Sequence, residues 1–142
     1  MTTIAYRNGV LASDSASTVE LAHTNGVRKI FRLSDGSLIG FSGTLSRFLK
    51  WLEWHEDEDG PEPSLMETNA IRVWPNGRLA TIENGAIINH LKRSDYTAIG
   101  TGSELALGAM AHGAGARAAV AAAIRHDGLS RGPVVSLRLR RS

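Results

Sequence analysis

Hydrophobic and polar positions along this chain change period several times, and each change marks an element. Thr2 to Tyr6 and Val10 to Ser15 read as strands about Arg7-Asn8-Gly9, and Arg28 to Leu33 and Ser37 to Ser42 as strands about Ser34-Asp35-Gly36. Asn-Gly and Asp-Gly between such runs are strong hairpin signals, so two successive hairpins and a mainly antiparallel sheet are expected. After Gly43 the spacing becomes helical: Leu45, Phe48, Leu49 and Leu52 follow i, i+3, i+4, i+7, with Thr44 placed to cap. Trp51 and Trp54 lie off that stripe and are expected at an interface between copies. The helix should stop before Gly60-Pro61, and 62–69 reads as loop.

Ala70 to Trp74 and Arg78 to Glu83 flank Pro75-Asn76-Gly77 as a third hairpin, followed by weaker strand signals at Ala86 to His90 and Tyr96 to Ile99. Ser103 to Asp127 is rich in Ala and Leu, but Gly113-Ala114-Gly115 interrupts it, so two helices meeting near residue 114 are expected. Val134 to Leu139 closes the chain as a strand. The order is strands, helix, strands, two helices, strand, which implies a sheet-rich core with helices packed outside.

Composition narrows the function classes. The chain has 142 residues, 42% hydrophobic and 21% charged, which fits a single domain spanning 1–142 with a real core. It has no cysteine, so neither a disulfide framework nor a thiolate metal site can form, and a cytoplasmic location is expected. Sixteen basic against fourteen acidic residues give a charge of +2, with an acidic run at Glu56 to Asp59 and a basic tail at Arg138, Arg140 and Arg141. This segregation reads as solvated surface, and neither a nucleic-acid partner nor a membrane is expected. His23, His55, His90, His112 and His126 have no metal-ligand spacing, there is no GxSxG elbow, and Gly100-Thr101-Gly102 lacks a phosphate loop's lysine. No cofactor is expected.

The remaining chemistry gathers at the N-terminus. Thr2-Thr3 opens the first strand, Asp14 follows Ala12-Ser13, Lys29 precedes Ile30-Phe31, and Gly43 ends Gly40-Phe41-Ser42. Gly100-Thr101-Gly102-Ser103 opens the third strand-to-helix junction, and Asp127-Gly128-Leu129-Ser130-Arg131-Gly132 precedes the last strand. In this order the segments resemble the proteasome β-subunit family and its bacterial HslV-like relatives, N-terminal-nucleophile hydrolases, over most of the chain. The resemblance implies an α+β fold, an αββα sandwich of antiparallel sheets. The segment before Ala70 is too short for the usual second helix there, so one helix layer should be reduced.

The resemblance also implies a threonine-type peptidase or amidohydrolase in which Thr2, exposed by removal of Met1, is the nucleophile and its α-amine the general base. Asp14 and Lys29 resemble the orienting ion pair, Asp127 and Ser130 the pair that bonds the amine and the nucleophile, and the Gly43 N–H the oxyanion donor. Thr101 and Gly102 fall where the family contacts substrate, Thr101 replacing a serine, and Arg131 replaces a glycine. Peptides or unfolded proteins would be the substrates, several copies would assemble, and an ATPase could deliver substrate. A catalytically silent scaffold subunit and a small-molecule amide hydrolase are the alternatives.

Physical chemistry fits these roles. A threonine hydroxyl needs a base within reach, and a free α-amine, with a pKa of about 7.7–8.0 against about 10.4 for lysine, is roughly one-tenth neutral at pH 7. Lys29 serves better as a fixed cation, held charged and aimed by Asp14. The hairpin leaves two registers open: a three-residue turn places Thr2 opposite Asp14, whereas a two-residue Asn8-Gly9 turn places Thr2 opposite Ser15.

Overall fold

A computed structural model describes residues 2–19, 22–25, 27–57, 59–91 and 95–140. The elements run β1 (Thr3–Arg7), β2 (Val10–Ser13), β3 (Ala16–Val19), β4 (Ala22–Asn25), β5 (Ile30–Arg32), β6 (Leu38–Gly43), α1 (Leu45–Asp57), β7 (Thr68–Val73), β8 (Leu79–Glu83), β9 (Ala86–Leu91), β10 (Thr97–Gly100), α2 (Ser103–Ala111), α3 (Ala116–His126) and β11 (Val135–Arg138). Two antiparallel sheets, β10-β1-β2-β11 and β5-β6-β7-β8-β9, carry the architecture, with β3-β4 as a separate ribbon that the periodicity does not reveal.

Strand alternation sorts the buried side chains into three layers. Ile4, Tyr6 and Leu11 on one sheet meet Ile30, Leu38, Ile71, Val73 and Leu79 on the other, forming the core between the sheets. The opposite face of the first sheet, with Ala5 and Ala12, packs on Ala106, Met110, Ala116, Ala119 and Val120 of α2 and α3. The outer face of the second sheet, with Ile39, Phe41 and Ala70, is covered by Phe48 and Trp51 of α1 and by Leu65. This is the expected αββα order, with one helix on the second sheet's outer face. Small residues on α3 at Ala116, Ala119, Val120 and Ala123 make the i, i+3, i+4, i+7 stripe that brings the helix close to its sheet. Arg7, ending β1, donates to the Met110 and Ala114 carbonyls and so caps the C-terminal end of α2 with a cation.

The reading of α1 needs correction. Its buried residues are Phe48 and Trp51, whereas Leu49 of the expected stripe is 48% exposed. Trp51 packs edge-on against Phe41, and Phe41 stacks on Phe48 with centroids 5.1 Å apart. The loop after the helix satisfies the indoles: Trp51 Nε1 donates to Glu62 and Trp54 Nε1 to the Gly60 carbonyl. The two rings therefore cover their own sheet, and the expectation of an interface loses that support.

The first hairpin takes the two-residue turn. Arg7 pairs with Val10, and Asn8 and Gly9 have φ of 50° and 80°, both on the positive side that this tight turn requires. Thr3 thus lies opposite Asp14, whose N–H donates to the Thr3 carbonyl, and Thr2 is in register with Ser15. No described helix is long and apolar enough to cross a membrane.

Candidate active site

Residues 2 and 3 enter the sandwich on opposite faces. By alternation Thr2 shares the inter-sheet face with Ile4 and Tyr6, whereas Thr3 shares the helix face with Ala5. Each threonine meets a different polar group.

On the inter-sheet side, Lys29 Nζ lies 3.0 Å from Thr2 Oγ1 and 2.9 Å from Asp14 Oδ1. Lys29 stands just before β5, and the Phe41 N–H binds its carbonyl, so the second sheet aims the ammonium at the start of the first. Asp14 is fully buried and accepts four bonds: Oδ1 from the Thr3 N–H and Lys29, Oδ2 from the Ala16 and Arg131 N–H groups. Such a carboxylate can stay buried because each oxygen has two donors. Burial pushes the Lys29 amine below its ordinary value, while the charge and hydrogen bond of Asp14 oppose the shift. Asp14 thus offsets the cost of burying the ammonium beside Thr2.

The helix side holds a second cluster. Thr3 Oγ1 is 2.7 Å from Ser130 Oγ, Ser130 donates to Asp127 Oδ2 at 2.6 Å, and Thr101 donates to the same oxygen at 2.8 Å. Partial burial raises the Asp127 carboxyl, but the bonds from Ser130, Thr101 and the Leu129 N–H outweigh it and hold the group below its usual value. The Gly102 N–H and Thr101 Oγ1 both approach the Thr2 carbonyl at 3.4 Å, so the 100–102 junction brackets residue 2.

Thr2, Asp14 and Lys29 thus form one cluster and Thr101, Asp127 and Ser130 a second, joined through Thr3 and through the Thr2 carbonyl. Ser130 bonds the Thr3 hydroxyl and not Thr2 Oγ1, the partner that the resemblance implies. Gly102 is buried against Thr3, where a Cβ would overlap Thr3 Oγ1, so it acts in packing. Gly43 ends β6 with φ 125°, and a Cβ there would overlap the Glu67 carbonyl oxygen. No bond joins Gly43 to either cluster among the described residues. Arg131 contributes backbone, its N–H to Asp14 and its carbonyl to the Ser15 N–H, which is why a bulky residue fits there. In the sequence Thr3 stands out only as half of a threonine pair. The described residues contain no group of three or more His, Asp or Glu placed to hold a metal ion.

No family model matches the sequence, and no curated protein does. Solved structures do match in fold. The Thiobacillus denitrificans protein BPH, solved in complex with epoxomicin, superposes with a TM-score of 0.73 at 20% identity over 98% of each chain. BPH by itself gives 0.73 at 20% identity over 99% of each chain. The eukaryotic HslV from Trypanosoma brucei gives 0.68 at 18% identity over 97% of this chain and 99% of its own. The chain therefore has the proteasome β-subunit and HslV-like fold.

Proposed function

We propose that this protein is a threonine-type amidohydrolase acting on peptide bonds, with Thr2 at the N-terminus of the active chain. The observation that carries the reading is the buried triad of Thr2 Oγ1, Lys29 and Asp14, at 3.0 Å and 2.9 Å. Once Met1 is removed, Thr2 Oγ attacks the substrate carbonyl carbon and its proton passes to the α-amine. Lys29, charged and paired with Asp14, stabilises the developing alkoxide. The tetrahedral intermediate expels the substrate amine, which takes up that proton, and leaves an ester on Thr2. Water, deprotonated by the same amine, hydrolyses the ester. The Gly43 N–H serves as an oxyanion donor, Asp127 and Ser130 hold residue 3 next to the nucleophile, and Thr101 contacts substrate beside them. Assembly of several copies and delivery of unfolded chains by an ATPase follow from the resemblance.

A silent scaffold subunit is the second reading: in the chain that carries Met1, Thr2 is only 7% exposed and its nitrogen is an amide, so a chain that keeps Met1 has no nucleophile to offer. Intact-mass analysis with a threonine-directed electrophile separates the two. Protein beginning at Thr2 should gain one adduct, Thr2→Ala none, and Thr2→Ser a slower one. An N-terminal fusion, whose residue 2 nitrogen is an amide, should be inert. A fusion that hydrolyses amides as fast as protein beginning at Thr2 rules out the nucleophile.

A further inference from the structure

We propose that Thr3 is a positioning residue, whose hydroxyl, at the head of a directed chain through Ser130 to Asp127, fixes where Thr2 Oγ1 sits. This rests on the reading of Thr2 as nucleophile and adds a residue to it.

Counting protons sets the direction of the chain. The carboxyl of Asp127 is held low and ionised, so it can only accept. Ser130 has one hydroxyl proton and gives it to Asp127 Oδ2 at 2.6 Å. Toward Thr3, at 2.7 Å, Ser130 Oγ must therefore accept, and Thr3 must donate. A hydroxyl donating along a chain that ends on a carboxylate has one preferred rotamer, which fixes the Thr3 side chain and, with it, its backbone.

The residue before Thr3 needs that anchor. Thr3 is fully buried and held at three points: its N–H to Asp14 Oδ1 at 3.0 Å, its carbonyl from the Asp14 N–H at 3.1 Å, and its hydroxyl to Ser130. The Thr2 backbone is held more weakly. Among the described residues its carbonyl has two contacts, both at 3.4 Å, and the one proton of Thr101 goes to Asp127, at 2.8 Å. A terminal residue has no preceding peptide to hold it, so the placement of Thr2 Oγ1 at Lys29 depends on residue 3. Thr3 points to the helix side and Thr2 to the inter-sheet side, so the effect passes through the backbone. Gly102 is built to this hydroxyl, since any Cβ there would overlap Thr3 Oγ1.

The test compares Thr3→Val, which keeps the shape and loses the hydroxyl, with Thr3→Ser, which keeps the hydroxyl and loses a methyl, both in protein beginning at Thr2. Two readouts are taken: the rate at which a β-lactone labels Thr2 across pH, and the pKa of the residue 2 amine from NMR of 15N-threonine protein. Thr3→Val should label about 10- to 100-fold more slowly and move the amine by about half a unit or more. Thr3→Ser should stay within about threefold of the parent on the first readout and match it on the second. Equal melting temperatures for the two variants would separate positioning from stability. Labelling of Thr3→Val at the parental rate, or a Thr3→Ser variant as impaired as Thr3→Val, overturns the proposal. If the parent itself does not label, the nucleophile reading fails, and the amine titration still decides whether Thr3 positions residue 2.

Discussion

At the scale of single residues, burial decides what each charged group can do. Asp14 is fully buried with four donors, so Asp14→Ala leaves Lys29 and three backbone N–H groups without their acceptor. The expected loss is about 3–5 kcal/mol, read by urea unfolding, with no hydrolysis remaining. Asp14→Asn, which keeps the shape but not the charge, should lose hydrolysis at a smaller cost in stability. Lys29→Ala should also abolish turnover, and near-normal rates in that variant would refute its role. Asp127 follows the usual carboxylate sign. Its folded value lies below the unfolded one, so its stabilisation is complete above about pH 4 and is lost as pH falls through the folded value. Asp127→Asn should accordingly flatten the acid limb of melting temperature against pH.

At the scale of elements, the strand ends near the site are less tolerant than the helices. Gly43 closes β6 at φ 125° against the Glu67 carbonyl, and Glu67 itself has φ 59°. Gly43→Ala combines a disfavoured backbone with a backbone clash and should cost more than the about 1–3 kcal/mol of strain alone. Gly108, inside α2 with open space around its would-be Cβ, provides the contrast. Gly108→Ala should stabilise by about 0.5–1 kcal/mol in the same unfolding assay. For α1, Trp51→Ala removes the ring that packs against Phe41 and should cost about 3–5 kcal/mol.

At the scale of the whole molecule, exposed apolar side chains bear on assembly. The tryptophans of α1 are used within the chain, but Leu105 and Leu107 of α2 remain 39% and 36% exposed. Light scattering at micromolar concentration is expected to give a multiple of 15.2 kDa. A monomer under those conditions would remove assembly from the proposal and leave the site chemistry untouched.

Local pattern by itself determined the hairpins and the break between α2 and α3 at 113–115, whereas the set of Thr2, Asp14 and Lys29 is what the resemblance to the proteasome β-subunit family implies. Period, turn residues and residue type are all local signals. Only the tertiary structure decided three matters. The sequence left two turns open, and the structure takes the two-residue one, which puts Thr3 and not Thr2 opposite Asp14. The buried face of α1 rotated from Leu49 to Trp51 because the sheet presents Phe41, a partner that helical spacing cannot show. Thr3 gained a role because Ser130, 127 positions away, meets it on the helix side, and no local pattern encodes a contact made by folding the last loop back onto the first strand.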